Sequence, residues 1–488
     1  MKQDGPRSHC WECRRRTLVC DFNFPECGRC TRSGITCPGY GVKPVRLRWL
    51  APGQVKARNR KRRVDDKETA EVQAASPVAI DIPRGVGTDV HVFMRAADYY
   101  NTRIYPNLLP MLELDPNGAI YPITSTIFQR GLASPDHRRL ALVCMSLNHQ
   151  INQCKMALES HNLCTELLHY RGIMIRSLRD DLKAQEKCTS DLVITGMLIL
   201  LLLDAQQRTP ADWRCHLEGA YKALVLRGGL STLTESTGVG PLLRSCIFIA
   251  VLGDTTSHAS NLPASYIHYQ QVESMIQGCG HNYLALHKFP PELFAQLVTI
   301  GHLRFRATNP HEEPRGTDNI LQEAHNVLQN IQCFSPGQWA ELKPRSTADW
   351  AFIGRVYQAA TIIYCISSLQ SLSVLPSTSS LQNSCLMQSE LLQSLLEEGL
   401  LVPKLRWFLL WPLVILGTQA TSGDYTVRRI FVQNKLSEMS RFMGVSSPLA
   451  AKDVLERFWA SGKAGWDDCF DKQYVFTSQI ALNVGSPK

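Results

Sequence analysis

Six cysteines between positions 10 and 37 constrain this chain more than any other feature. They read Cys10-Trp11-Glu12-Cys13, then Cys20, then Cys27-Gly28-Arg29-Cys30, then Cys37, with gaps of two, six, six, two and six residues. The unit Cys-x2-Cys-x6-Cys therefore occurs twice in 28 residues. So short a stretch buries too little apolar surface to hold itself together. Two cysteines three apart share one face of a helical turn, so Cys10 with Cys13, and Cys27 with Cys30, can each pinch one ion. Soft thiolates in this arrangement suit a tetrahedral zinc ion.

Cys20 and Cys37 add one thiolate to each pair. Three sulfurs per ion still fall short of a tetrahedron, and the shortfall closes if two sulfurs bridge two ions. By the repeat symmetry, the bridges are equivalent residues of the two halves. Disulfide pairing is the main competitor. It needs an oxidising compartment, and the N-terminus, Met1-Lys2-Gln3-Asp4, opens no apolar leader. A one-ion ribbon would leave two cysteines without a role, and a Cu(I) thiolate cluster would not need this symmetry. The expected cofactors are two Zn²⁺ ions.

Charge then says what the cluster meets. Residues 1–63 hold 16 Lys and Arg against 4 Asp and Glu, whereas the rest of the chain holds 36 against 39. A basic excess confined to one small module is the footprint of a polyanion partner. Arg14, Arg15 and Arg16 follow Cys13 directly, and at about 100° per residue at least one or two of them can face a groove. Arg29 and Arg32 offer forked guanidinium groups to phosphates. Lys43, Arg46 and Arg48 alternate with Val45, Leu47 and Trp49, as an extended arm along a DNA backbone would. Lys56, Arg58, Arg60, Lys61, Arg62 and Arg63 put six positive charges into eight residues, a nuclear-import run, a phosphate-binding tail, or both.

The stretch from Cys10 to Cys37 resembles the fungal binuclear zinc cluster (Zn2Cys6) DNA-binding domain. In that family the first and fourth cysteines bridge, which implies Cys10 and Cys27 here. The first helix enters the major groove and often reads a CGG triplet. The family pattern Arg-x-Arg-Lys-x-Lys-Cys-Asp survives as Arg14, Arg16, Cys20 and Asp21, with Thr17 and Val19 where lysines are common. Thr17 stands at the base-reading lysine, so readout would pass to Arg15 or Arg16, since Arg can pair with guanine O6 and N7. Pro25 matches a loop proline of the family.

The expected domains are a Zn2Cys6 head at 1–41, a basic arm and linker at 42–88, an all-α regulatory domain at 89–480, and a tail at 481–488. No coiled-coil heptad run follows the cluster. Leu163, Leu167, Tyr170 and Met174, then Trp350, Ile353, Tyr357, Ala360 and Tyr364, then Val432, Leu436, Met439 and Met443, step by three and four as core-facing helical stripes do. Breaks are expected near 106–122, 228–241, 258–270, 306–317 and a Ser-rich 373–384. The run Leu192–Leu203 reads as a buried helix, too short for a membrane span of roughly 18 residues. The eleven later cysteines, none in a Cys-x2-Cys pair, read as small buried hydrophobes.

Three segments, 213–229, 411–417 and 458–470, resemble the second fungal-specific transcription factor domain family; each also reads as aromatic packing. No P-loop, dinucleotide turn, HExxH or nucleophile elbow is present. His216, His258, His281, His287 and His302 are scattered singly, and the neighbours Asp467 and Asp468 would point apart. The expectation is a nuclear, DNA-binding regulator of transcription and no enzyme. The helical domain could pair with a second copy, a partner protein or a small effector. The alternative is a zinc-dependent protein-interaction module on a helical scaffold.

Overall fold

The computed structural model describes residues 9–23, 25–37, 39–40, 89–114, 120–154, 157–206, 213–228, 239–262, 289–309, 317–420 and 426–477. They fall in two units, one within Met1–Val78 and one within Ala79–Lys488. The small unit holds two short helices, α1 (Trp11–Arg15) and α2 (Gly28–Arg32). Its interior is the six cysteines, with Tyr40 against them.

The large unit is all-α, and its described residues contain no strand. Helix α3 (Asp89–Tyr99) passes through a π-helical turn, Tyr100–Ile104, into α4 (Tyr105–Leu108) and α5 (Met111–Leu114). There follow α6 (Ser125–Leu132), α7 (Asp136–Gln153), α8 (Ala157–Lys183), α9 (Asp191–Ala205), α10 (Trp213–Leu226) and α11 (Val239–Thr255). After a 3₁₀ turn at Ala259–Asn261 come α12 (Pro291–Thr308), α13 (Thr317–Cys333), α14 (Pro336–Glu341), α15 (Thr347–Ser371) and α16 (Ser379–Gly399). The chain closes with α17 (Leu410–Thr418), α18 (Thr426–Met443), α19 (Ser447–Ser461) and α20 (Trp466–Cys469).

Helix α15 is the hub: α12, α13, α14, α16, α17 and α20 all pack on it. Its stripe of Trp350, Ile353, Tyr357, Ala360 and Tyr364 is buried, as are Val432, Leu436, Met439 and Met443 of α18. On α8, Met174 is buried and Leu163, Leu167 and Tyr170 pack partly buried against the core. The apolar run 192–203 lies inside α9, which starts where Ser190 accepts from the Val193 N–H at 3.4 Å. The aromatic segments do pack: Trp213, Trp411, Phe458, Trp466 and Phe470 are buried. Gly253 of α11 lets Trp213 come close, since a Cβ there would sit 2.6 Å from the indole.

Two expectations need correction. The Ser-rich break at 373–384 is shorter than expected, because Thr378 caps α16 by accepting from the Leu381 N–H, and Leu381 and Cys385 pack on the core. Serine and threonine there start a helix rather than interrupt one. Not all later cysteines are buried: Cys215 and Cys333 are exposed, one on the outward side of α10 and the other closing α13. The described helix long and apolar enough to cross a membrane is α15, and 78% of its most apolar stretch is buried under neighbouring helices.

The core also contains charge. Arg304 of α12 is fully buried and donates to the Asp254 carbonyl at 3.0 Å, the Ser257 carbonyl at 2.7 Å and Asp467 Oδ1 at 2.8 Å. Asp467 Oδ1 also accepts from the Ala259 N–H at 2.8 Å. Arg214 of α10 pairs with Asp254 and reaches Ser257 Oγ at 3.3 Å. Four sequence-distant segments are thereby tied at one point.

Candidate metal centre and nucleic-acid interface

The repeat seen in the cysteines extends to the backbone with a spacing of 17 residues. Cys10 caps α1, its sulfur accepting from the Cys13 N–H at 3.4 Å; Cys27 holds the matching position before α2, without a side-chain cap bond. Each helix ends one turn later in a left-handed residue, Thr17 at φ 54° and Gly34 at φ 65°. The following amide closes the helix in both halves, Leu18 N–H to the Cys13 carbonyl at 2.9 Å and Ile35 N–H to the Cys30 carbonyl at 3.0 Å. A second left-handed pair follows, Phe22 at φ 58° and Gly39 at φ 76°.

This backbone gathers the sulfurs. The Sγ atoms of Cys10, Cys13, Cys27 and Cys30 all lie within 4.8 Å of one another. Individual separations are 3.7 Å for Cys10–Cys30, 3.6 Å for Cys13–Cys27 and 4.0 Å for Cys13–Cys30. These are too long for disulfides, whose sulfurs sit about 2 Å apart, and all six are free thiols. Cys20 interacts with Cys27, and Cys37 with Cys10 and Cys30, while Cys10, Cys13, Cys27 and Cys30 each reach sulfurs of both halves.

Burial pushes the Cys10, Cys13 and Cys30 thiols up, Cys30 to about 12. Burial also works against the Cys20 thiolate, but the Cys10 N–H and the Tyr40 hydroxyl, 3.5 Å away, bring it down to about 6. Cys37 is likewise lowered against its burial by the amides of Cys27 and Gly39. Six buried soft donors with backbone N–H groups turned toward them fit a polynuclear thiolate centre that needs cationic charge at its heart.

Sequence reasoning missed the supporting residues. The Tyr40 hydroxyl sits between Cys20 Sγ at 3.5 Å and the Asn23 carbonyl at 2.9 Å, with one proton to offer the two. Asp21 accepts from the Gly28 N–H at 3.1 Å and so ties the first half to the start of α2. Gly28 is bare for that reason, since a Cβ would sit 2.7 Å from the Asp21 carboxylate. The only sequence signal was Asp21's place in the family pattern.

The expected DNA-contacting residues are partly visible. Arg14 is exposed, its guanidinium 5.3 Å from the Trp11 ring, and Arg16 and Thr17 are exposed beyond the end of α1. Arg15 ends α1. Arg29 and Arg32 are exposed but also bond internally, Arg29 to the Val19 carbonyl at 3.0 Å and Arg32 to the Gly28 carbonyl at 3.2 Å. Lys43, Arg46 and Arg48, and the import run of Lys56, Arg58, Arg60, Lys61, Arg62 and Arg63, lie outside the described residues.

Thr17 is the unexpected one. A β-branched residue in the left-handed region is strained, and Gly34 holds the matching position without that cost. Thr17→Gly is therefore expected to stabilise the zinc-loaded head by about 1 kcal/mol. Chelator titration measures this; an unchanged or earlier loss of metal would show that the Thr17 backbone carries no strain.

The acid and base groups of the large unit form no catalytic set among the described residues. His216 Nε2 lies 3.2 Å from Asp204, which Arg171 also binds at 2.6 Å. His258 caps the 3₁₀ turn. Asp467 turns to Arg304 and Asp468 to Lys463. His281 and His287 lie outside the described residues.

Comparison with known proteins places both units. The family model for the fungal Zn(2)-Cys(6) binuclear cluster domain matches residues 9–46, and that for the fungal specific transcription factor domain matches residues 95–477. The phomenoic acid biosynthesis cluster-specific transcriptional regulator of Leptosphaeria maculans is 38% identical over 99% of this chain and 92% of its own length. Arginine metabolism regulation protein II of Saccharomyces cerevisiae is 47% identical over 9% of this chain and 5% of its own. The pestheic acid cluster transcriptional regulator 3 of Pestalotiopsis fici is 48% identical over 9% of this chain and 7% of its own. No solved structure matches.

Proposed function

We infer the particulars below for a chain that belongs to the fungal specific transcription factor domain family and carries a fungal Zn(2)-Cys(6) binuclear cluster, which binds two zinc ions. Its class is transcriptional regulation, as is that of its relatives. The finer reading is that the thiolates of Cys10, Cys13, Cys20, Cys27, Cys30 and Cys37 would hold the two ions between them. When bound, the ions supply folding energy and fix α1 and α2 against each other. The chain's own part is to set the thiolates with amide N–H groups and to expose Arg14 and Arg16 at the end of α1.

The observation that carries this reading is the 17-residue repeat that brings four thiols within 4.8 Å and leaves a basic helix end exposed beside them. We read Arg14, Arg15, Arg16 and Thr17 as the base-facing group, and Arg29, Arg32, Lys43, Arg46 and Arg48 as phosphate partners. The run at 56–63 serves nuclear import. The helical unit, 89–480, governs output through a signal received on that unit. By likeness to the Leptosphaeria maculans regulator, the targets are the genes of a biosynthesis cluster.

Selection of sites from random duplex DNA by the zinc-loaded full chain tests this. The expected result is an enriched CGG-like triplet, weakened by R16Q, that maps upstream of a contiguous set of biosynthetic genes. Failure to enrich any motif would overturn DNA readout. A motif that maps to scattered genes would overturn only the cluster assignment.

A further inference from the structure

The large unit contains a cleft of about 860 Å³ where its first helices meet its last. One wall is the end of α3 and its π-helical turn, with Tyr99, Thr102, Arg103 and Asn107. The others are the end of α7 (His149, Gln150), the start of α8 (Glu159, Leu163) and the end of α18 (Arg441, Phe442). The volume lies in the range of small-molecule sites. The cleft also sits on a seam: Gln153 of α7 donates to the Arg441 carbonyl, and Asn152 to the Gly444 carbonyl at 3.3 Å.

The π-turn has a local cause. Pro106 has no N–H to give to the Thr102 carbonyl, and the Tyr105 N–H reaches back to the Tyr100 carbonyl in the wider register. Such turns concentrate at functional sites, and this one sets Thr102 and Arg103 along the cleft.

The lining fixes the chemistry. Arg103 and Arg441 are exposed, and neither makes an ion pair within the described residues. His149 adds no charge, because burial holds its imidazole down to about 4 while its Nδ1 shares a hydrogen bond with the Tyr99 hydroxyl at 2.9 Å. Glu159 is the acidic residue among the described lining residues, so with the two arginines these leave a net single positive charge, matched to a monoanion rather than a dianionic phosphate. Asn107 and Gln150 offer amides, while Leu163, Phe442 and Pro106 supply apolar surface.

We propose that this cleft binds a small monocarboxylic acid with an apolar body, its carboxylate between Arg103 and Arg441. Bound there, the acid stiffens the seam between α7 and α18. The proposal deepens the reading of the large unit as a regulatory domain and rests on it.

Isothermal titration of the zinc-loaded full chain with decanoate, decanol and decylamine tests it. Decanoate is expected to bind, decanol at least about tenfold more weakly, and decylamine not at all. R103Q/R441Q is expected to lose at least about tenfold in decanoate affinity while its melting temperature without ligand stays unchanged. Equal decanoate affinity in that variant, tighter binding of decanol, or no decanoate binding by the native chain would each overturn the proposal. DNA affinity, read separately on the same preparations, reports on the regulator reading, so the two can fail independently.

Discussion

Cys20→Ser is expected to unfold the cysteine-rich head and to cut site-specific DNA affinity by at least about 10³-fold, down to the level of nonspecific binding. Serine differs from cysteine by one atom, so the effect lies in the ligand and not in packing. A hydroxyl is a hard donor that stays protonated at neutral pH, and a thiolate is neither. Cys20 is also where the protein has invested most in that charge, for the Cys10 N–H and the Tyr40 hydroxyl both converge on its sulfur. Among the described residues of the small unit the buried hydrophobic ones are the six cysteines themselves, so the ligands are also the packing. Bound zinc is expected to fall below two ions per chain, with loss of the near-ultraviolet signature of Trp11, whose backbone N–H donates to the Gly39 carbonyl at 3.2 Å and holds the residue in the folded head. The large unit has its own core and should melt unchanged. Retention of two zinc ions and of the selected site by Cys20→Ser would sink the assignment of this residue.

How much of this was legible in the sequence depends on the range over which each interaction acts. The cluster was, because its ligands lie within 28 residues and their spacing is the geometry itself. The helical stripes were too, since burial on one face of a helix repeats every three or four residues. The strain at Thr17 was hidden: the residue looked like a base contact that had lost its lysine, and only backbone angles show that it ends α1 as Gly34 ends α2. Arg29 and Arg32 read as free phosphate donors, and pattern could not show their bonds back to the Val19 and Gly28 carbonyls. The charged core of the large unit was out of reach, because Arg304 and Asp467 are 163 residues apart and a charged residue in an amphipathic pattern reads as surface.

That core gives the second large effect. Arg304→Met is expected to destabilise the large unit by about 3–5 kcal/mol, measured as a lower denaturant midpoint. Methionine fills much of the volume, so a cavity is a minor part of the loss. The larger part is what is left behind: Asp467, only 11% exposed, keeps its charge without its partner, and the carbonyls of Asp254 and Ser257 lose a donor. The guanidinium also lies 5.9 Å from the Tyr364 ring on the hub helix α15, so its removal loosens the hub where α20 docks. Arg304→Met with Asp467→Leu separates these contributions. If the stranded carboxylate dominates, the double variant recovers part of the loss, and the two effects are far from additive. If the double variant loses the sum of the single effects, the pair acts as two independent contacts. An unfolding free energy for Arg304→Met within about 1 kcal/mol of the native chain would mean that the guanidinium is replaceable by water and that this junction holds nothing together.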